Sequence, residues 1–160
     1  MTSDLAGELA LALELADRAD AFTLRRYQQA DFTLGWKDNR TEVTEADMGA
    51  EALMAEHLLA TRPTHGLYGE EHGVQGDVDS PWRWVIDPID GTSGFVRGIP
   101  VWATLIALTH VEWGAVVGVV SAPALGRRWW GARGLGSFAD GRRCRVSDVS
   151  ALAGKPAKIV

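Results

Sequence analysis

The spacing of apolar residues changes character once along this 160-residue chain, at Gly66. Segments before Gly66 have the apolar spacing of helices, whereas those after it read as strands separated by turn residues. Two long helices followed by several mostly antiparallel strands indicate an α+β layered fold. We therefore expect two helices packed on the sheet as part of a layered α/β sandwich. No repeat or linker interrupts residues 1–160, so they are expected to form one domain.

Both helices can be placed from caps and periodicity. The first is expected to run from about Ser3 toward Gln29, with Ser3 or Asp4 as its cap. Its predicted inner stripe is Leu5, Leu9, Leu13 and Ala16. A loop or a β-hairpin is expected next, because a glycine and an asparagine break the pattern. The second helix is expected over residues 44–60, capped by the hydroxyl of Thr44. Its predicted inner stripe is Met48, Ala52, Ala55 and Leu59.

The remainder of the chain contains six strand-like segments bounded by turn residues. They are GLYGEE (66–71), WRWVID (82–87), WATLIALTH (102–110), GAVVGVVSAP (114–123), RRWWGAR (127–133) and GSFADGRRCRV (136–146). The Ala-Asp-Gly sequence in the last segment predicts a hairpin turn.

Charge and cysteine content narrow the class of protein. A formal net charge of -5 predicts no broad positive surface for nucleic acid or an anionic membrane. A single cysteine, Cys144, cannot form an internal disulfide, so the chain is compatible with a reducing compartment. Acidic residues interrupt the apolar N-terminus, and no apolar stretch reaches the length needed to cross a bilayer. We therefore expect a cytoplasmic protein whose partners are neither nucleic acid nor membrane.

The stretch WVIDPIDGTSGF, residues 84–95, places two carboxylates at the end of a buried strand. Asp87 is expected where the strand ends, a position that often faces a ligand, and Pro88 is expected to stop the strand. Asp90 is expected to return close to Asp87 across a tight turn. Gly91 then lets the backbone approach a ligand.

The residues that follow predict an anion site beside these acids. Thr92 and Ser93 are expected to begin a helix, whose free backbone N–H groups and dipole favour an anion. Two close carboxylates next to an anion are electrostatically reasonable only if a cation lies between them. Ligands that are all oxygen indicate a hard ion, Mg²⁺ first, with Mn²⁺ or Ca²⁺ behind it. The simplest anion to bind there is a phosphate.

Further acids lie elsewhere in the sequence. Glu70 and Glu71 end the GLYGEE segment, and they reach the same place if that strand neighbours WVID. Asp47 follows Thr44, and Lys37 is a candidate to neutralise the site. Each feature also has a simpler interpretation: DPIDG as a turn, the glutamates as a solvated pair, Asp47 as an acid stabilised by its helix dipole. The occurrence of all of them in this order favours a site.

Three motifs together carry a family resemblance: VTEAD (43–47), GEE (69–71) and WVIDPIDGTSGF (84–95). They resemble the Mg²⁺-dependent inositol monophosphatase superfamily. Within it, RWVIDPIDGT, FVRGIPVWATLIAL, GVVSAPALGRRWW and the later GSF look most like the histidinol-phosphate phosphatases. The resemblance runs from roughly the first helix to about Ser150.

The resemblance implies a metal site. Glu70 and Asp87 would ligate one Mg²⁺, with help from the backbone carbonyl of Ile89. Asp87 and Asp90 would contribute to a second ion, and Mn²⁺ is possible in place of Mg²⁺. In the complete site of this superfamily two or more ions are expected.

The resemblance also implies how a small phosphate ester is bound and hydrolysed. The backbone N–H groups of Gly91 and Thr92, next to Ser93, would hold the phosphate. Thr92 and Asp47 would orient the attacking water, and Glu70 would take part in catalysis through the metal. Metal ions that lower the pKa of a water and screen phosphate oxygens suit this reaction.

The sequence departs from the family pattern in two ways. Ser93-Gly94 stands where the family commonly has Thr-Asn or Lys-Asn, which affects local substrate contacts. Family members also continue for roughly another hundred residues, by resemblance, into a second α/β half with a WDxAA-type motif that completes the second metal site. We therefore expect the first half of such a phosphatase, with an apolar patch exposed where the second half would pack.

Three functions follow as expectations. The first is Mg²⁺-dependent hydrolysis of histidinol phosphate to histidinol and phosphate, in histidine biosynthesis. The second, within the same superfamily, is hydrolysis of an inositol phosphate or a nucleotide bisphosphate. The third, from another class, is a non-catalytic metal-binding fragment or interaction module. The family is often dimeric, so a homodimer is possible.

Overall fold

The computed structural model describes residues 5–36 and 42–148. Lys37 and the proposed caps of the first helix, Ser3 and Asp4, lie outside the described residues. In chain order the elements are α1 (Leu5–Gln29), β1 (Leu34–Trp36), β2 (Glu42–Thr44), α2 (Glu45–Thr61), β3 (Gly66–Gly69), β4 (Gly73–Gly76), β5 (Trp82–Asp90), α3 (Thr92–Val96), β6 (Ala103–His110), β7 (Gly114–Ala122), β8 (Arg127–Ala132), β9 (Gly136–Ala139) and β10 (Arg142–Cys144). A single 3-10 turn, Pro123–Leu125, joins β7 to β8.

Eight of the strands form one sheet, in the order β10-β9-β8-β7-β6-β5-β3-β4. Every neighbouring pair is antiparallel except β3 and β5, which run parallel. β1 and β2 form a separate antiparallel hairpin. The α+β fold with helices on a mostly antiparallel sheet is therefore confirmed. β4 was not predicted, because GVQG contains a single large apolar residue between two glycines.

Both long helices pack on the same face of the sheet. α1 lies across β6 and β7, while α2 packs on α1, β5 and β3. The core between them is formed by side chains from both layers: Leu15, Met54, Leu58, Leu67, Trp84, Ile106 and Leu108. Among the described residues, no helix combines the length and apolarity needed to cross a membrane.

The predicted inner stripes of the two helices were largely wrong. In α1 the three leucines at positions 5, 9 and 13 flank the core, and the buried stripe is Leu11, Ala12, Leu15, Ala16, Ala19 and Thr23. In α2 only Ala55 of the predicted stripe is buried, and the buried residues are Ala46, Asp47, Ala50, Glu51, Met54, Ala55 and Leu58. Small residues let each helix lie close to its neighbour, and two acids share the inner face of α2. Counting large apolar residues alone therefore selects the wrong face.

A partly buried polar link fixes α1 to β8. The guanidinium of Arg128, on β8, donates to Asp17 at 2.7 Å and to Asp20 at 2.6 Å. It also donates from Nε to the hydroxyl of Ser121, which in turn donates to Asp20 at 2.7 Å. Partial burial and several partners make such a charged network stronger than an isolated surface pair.

The opposite face of the sheet is not covered by a helix in the described part of the chain. On β6 the residues alternate, with Ile106 and Leu108 buried beneath the helices and Leu105 only partly buried. Val120 and Trp129 are 37% and 36% exposed and line an open groove of about 560 Å³ on this side. An apolar surface of this kind was expected from the sequence.

The contribution of His65 to the stability of this fold is expected to fall as pH drops below about 6.5. Burial lowers the pKa of His65, although the charge of Glu8 opposes the shift. The indole Nε1 of Trp84 donates to His65 Nδ1 at 3.2 Å, and only the neutral ring can accept this bond. Below the unfolded pKa the unfolded state binds more protons, so stability is lost as pH falls toward the folded pKa.

Replacing His65 with glutamine provides the measurement. We expect the free energy of unfolding of the wild type to decline from pH 8 to pH 5 by about 1 kcal/mol more than that of His65→Gln, the size of one hydrogen bond. Chemical denaturation at several pH values measures this difference. Parallel pH profiles for the two proteins would contradict the prediction.

Candidate active site

Two neighbouring parallel strands bring Glu70 and Asp87 together. In the register of β3 and β5, Gly69 lies opposite Ile86. The backbone N–H of Glu70 donates to the Ile86 carbonyl at 3.3 Å, so Glu70, just beyond the end of β3, lies beside Asp87 of β5. This is the adjacency expected if the GLYGEE strand lies beside WVID, and it follows from parallel pairing, which directs both strand ends to one edge.

β5 does not stop at Pro88, as the sequence predicted, but continues to Asp90 with an irregular register between Asp87 and Asp90. Because proline has no N–H, Pro88 interrupts the hydrogen-bond ladder without ending the strand. Its carbonyl oxygen accepts a hydrogen bond from the Thr104 hydroxyl at 2.9 Å. Asp87 and Asp90 are therefore separated by a bulge rather than by a tight turn.

Asp87 lies in an acidic environment that disfavours its charged form. Burial raises the pKa of Asp87 to about 8, with further contributions from the charge of Glu70, a hydrogen bond with Glu70 and the charge of Asp90. The Ile89 backbone N–H donates to Asp87 Oδ1 at 3.1 Å and opposes the shift only weakly. In the absence of a cation the protonated form of Asp87 is favoured, which reduces the repulsion between these close acids.

The structure brings only some of the predicted metal ligands close together. In residues 5–36 and 42–148, no three histidine, cysteine, aspartate or glutamate side chains converge closely enough to hold an ion on their own. Glu70 and Asp87 contact each other, while Asp90 acts on Asp87 through its charge alone. The carbonyl oxygen of Ile89 lies 3.1 Å from the Thr92 hydroxyl. Oxygen donors with uncompensated negative charge fit a hard cation such as Mg²⁺, whose remaining ligands are ordinarily water and substrate oxygens.

The start of α2 places Asp47 against Thr92. Thr44 caps α2, as predicted, and its backbone N–H and hydroxyl both donate to Asp47 Oδ2, at 2.8 Å and 2.5 Å. The other carboxylate oxygen, Asp47 Oδ1, accepts from the Thr92 hydroxyl at 3.0 Å. Burial raises the pKa of Asp47, while the hydrogen bonds from Thr44 and Thr92 lower it. The cap therefore fixes one carboxylate oxygen and leaves the other to orient Thr92.

Gly91 and α3 form the predicted helix start. Gly91 is the N-cap, with a left-handed φ of 94°, and a Cβ there would lie 3.1 Å from the Val101 carbonyl oxygen. Thr92 and Ser93 occupy the first turn, where backbone N–H groups have no intrahelical partners. The Ser93 hydroxyl accepts from the Arg97 guanidinium at 2.5 Å. Phe95 anchors the short helix in a second apolar cluster, formed with Ala46, Ile89 and Trp102.

Sequence reasoning missed Glu51. This glutamate on α2 is fully buried, and its carboxylate accepts from the backbone N–H groups of Glu71 and His72, each at 2.7 Å. The sequence contains one signal for it, since Glu51 lies four residues after Asp47 and so shares its face of the helix. An isolated glutamate in a helix is ordinarily assigned to solvent, which explains the omission.

Comparison with known proteins gives a consistent result. The model of the inositol monophosphatase family matches residues 4–158. A histidinol-phosphatase of Streptomyces coelicolor is 49% identical over 158 residues, covering 94% of this chain and 59% of that protein. A histidinol-phosphatase of Mycobacterium tuberculosis is 51% identical over 149 residues, covering 91% and 56%.

The fold is likewise shared with solved structures. The extragenic suppressor protein suhB from Bartonella henselae superposes with a TM-score of 0.80 at 33% identity, over 89% of this chain and 55% of that one. The chain thus spans a little over half the length of the relatives it matches.

Proposed function

Because the chain belongs to the inositol monophosphatase family, we propose that it carries the metal-binding half of a Mg²⁺-dependent phosphomonoesterase that acts on histidinol phosphate. The observation that carries this proposal is that two pairs of candidate site residues are brought together by the fold. Glu70, just after β3, lies beside Asp87 of the neighbouring strand β5, and the Asp47–Thr92 hydrogen bond lies beside the Ile89 carbonyl. The choice of substrate is supported by the histidinol-phosphatases among the relatives.

In this proposal Glu70, Asp87 and the Ile89 carbonyl hold one metal ion, and Asp87 and Asp90 contribute to a second. Mg²⁺, when bound there, supplies positive charge that screens the phosphate oxygens and lowers the pKa of water. The backbone N–H groups of Gly91 and Thr92, with Ser93 beside them, bind the remaining phosphate oxygens. These groups are held in place by the left-handed N-cap and the buried Phe95.

The Thr92 hydroxyl orients the attacking water. It donates to Asp47 Oδ1, so its lone pairs accept a hydrogen bond from a water and direct that water's oxygen toward phosphorus. A new bond forms between the water oxygen and phosphorus as the ester bond to histidinol breaks. The attacking water gives up one proton to solvent, and histidinol leaves with a proton from solvent. Inorganic phosphate is released, and no covalent phosphoenzyme is required.

Phosphate release from histidinol phosphate by the 160-residue chain, with and without Mg²⁺, tests the proposal. We expect release that depends on Mg²⁺ and stops when the metal is chelated. An inositol monophosphate and a nucleotide bisphosphate serve as competing substrates, and faster turnover of either would move the substrate assignment within the family. A folded chain that binds Mg²⁺ without hydrolysing any of them would indicate a non-catalytic metal-binding module.

The longer relatives are proposed to complete the second metal site with residues beyond the region matched here. A homodimer remains a prediction, and sedimentation velocity would measure the oligomeric state. A cytoplasmic location is proposed because the substrate class is metabolic and Cys144 has no partner for an internal disulfide.

A further inference from the structure

We propose that Glu51 is a positioning residue for the metal site, which holds the turn after β3 so that Glu70 is presented to Asp87. This inference rests on the proposed function and adds to it a residue of α2 that does not contact metal or substrate. Its side chain is completely buried. A buried carboxylate is strongly unfavourable unless its oxygens are satisfied by hydrogen bonds.

Both oxygens of Glu51 are used by the turn that follows Glu70. Oε2 accepts from the backbone N–H of Glu71 at 2.7 Å. Oε1 accepts from the backbone N–H of His72 at 2.7 Å and lies 2.8 Å from His72 Nδ1. Hydrogen bonds to an ionised acceptor are short and about twice as strong as neutral ones, so this turn is held tightly to α2.

The residue before Glu70 is shaped to admit this carboxylate. A Cβ added at Gly69 would overlap the Glu51 carboxylate, with Oε1, Cδ and Oε2 as its three nearest atoms. Gly69 is therefore required because its lack of a Cβ lets the Glu51 carboxylate approach the backbone, and not because of an unusual backbone angle. The Glu51 carboxylate consequently contacts the chain on both sides of Glu70, at residue 69 and at residues 71–72.

α2 thereby links the two halves of the proposed chemistry. Asp47, at the start of the helix, accepts a hydrogen bond from the Thr92 hydroxyl. Glu51, one helical turn later, accepts a hydrogen bond from the chain that follows Glu70. Since residues four apart lie on the same face of a helix, one rigid element sets the spacing between the water-orienting hydroxyl and the metal-ligating carboxylate.

Mn²⁺ binding, followed by electron paramagnetic resonance of the free ion, tests the inference on the intact chain. Glu51→Gln keeps the size of the side chain but replaces one acceptor oxygen with an amide that cannot accept. We expect it to weaken Mn²⁺ binding by about 10-fold or more, in line with other groups that orient metal ligands. Gly69→Ala keeps the carboxylate but displaces it, and it is expected to weaken binding similarly. Circular dichroism establishes that each variant is folded.

Two control variants on α2 separate positioning from general destabilisation. Met54→Ala removes a buried core side chain from the same helix and is expected to lower the melting temperature. Glu56→Gln changes an exposed acid of the same helix. Both are expected to bind Mn²⁺ as the wild type does.

In turnover, Glu51→Gln should need more Mg²⁺ for half-maximal rate and recover much of its kcat at saturating Mg²⁺.

The outcomes distinguish this inference from the proposed function. If the wild type binds Mn²⁺ and Glu51→Gln binds it equally well, or if Met54→Ala loses as much affinity, Glu51 is not a positioning residue. If the folded wild type itself binds no Mn²⁺, the metal site of the proposed function is wrong, and the inference that depends on it is overturned as well.

Discussion

Asp87→Asn is expected to reduce Mg²⁺-dependent phosphate release by at least about 100-fold, since loss of a direct ligand should cost no less than loss of a group that merely orients one. Asp87 is central to the acidic group, because both Glu70 and Asp90 act on it. An asparagine has the same shape but no charge to attract a cation. Phosphate release and Mn²⁺ affinity, measured on the same preparation, check this result.

The same substitution is expected to stabilise the metal-free chain. The pKa of Asp87 is raised from 3.8 to about 8 in the folded state, so between these values the folded state binds more protons than the unfolded state. The contribution of Asp87 to wild-type stability therefore falls as pH rises through this window, and the asparagine variant avoids that loss. We expect a higher melting temperature for Asp87→Asn, by a margin that is larger at pH 8 than at pH 5.

Added Mg²⁺ should give the wild type the higher melting temperature of the two, because a ligand stabilises only the protein that binds it. Asp79→Asn, an exposed aspartate in the loop between β4 and β5, is the matched control and should behave as the wild type does. An Asp87→Asn variant that retained turnover would remove Asp87 from the metal site.

Thr92→Val is expected to lower kcat by about 10²-fold or more, within the range ordinarily contributed by proton-handling groups. The valine removes the hydroxyl that donates to Asp47 Oδ1 at 3.0 Å and leaves a side chain of similar volume. Mn²⁺ affinity is expected to change little, because Thr92 contributes no charge to the acidic group. A loss of kcat with retained metal affinity is therefore the result to look for.

Thr109→Val serves as the control for this substitution. The Thr109 hydroxyl donates to the backbone carbonyl of Arg83 at 2.9 Å. Thr109 lies at the end of β6 opposite to the end that pairs with Asp90. Removing this hydroxyl costs a comparable hydrogen bond without touching the site. Equal losses of kcat in the two variants would show that Thr92 acts only through stability.

The sequence was sufficient to predict those parts of the site that depend on local signals. Thr44 caps α2 because a hydroxyl before an acidic first turn is a strong helix start, and Thr92 begins α3 because Gly91 precedes it. The pairing of Glu70 with Asp87 required one assumption, that β3 lies beside β5, and the structure confirms it. The roles in catalysis and metal binding stay predictions, carried by the family motifs.

Other parts were not predictable because they depend on tertiary contacts. The bulge at Pro88 exists because β6 continues to pair on either side of it, which no feature of β5 alone reveals. The inner stripes of both helices include alanines that gain their importance only from close packing. Glu51 is buried because a turn distant in sequence supplies N–H donors to both of its oxygens.

The link between α1 and Arg128 has a consequence for biosynthesis. Ser121 follows its partner Asp20 by 101 residues, and Arg128 follows it by 108. At about 5–20 residues per second, the ribosome needs roughly 5–20 s to make the intervening chain. During that interval α1 has been synthesised, but the strands that cover its apolar stripe have not. α1 is therefore synthesised well before its apolar stripe is buried, and the nascent chain is an expected client for chaperones.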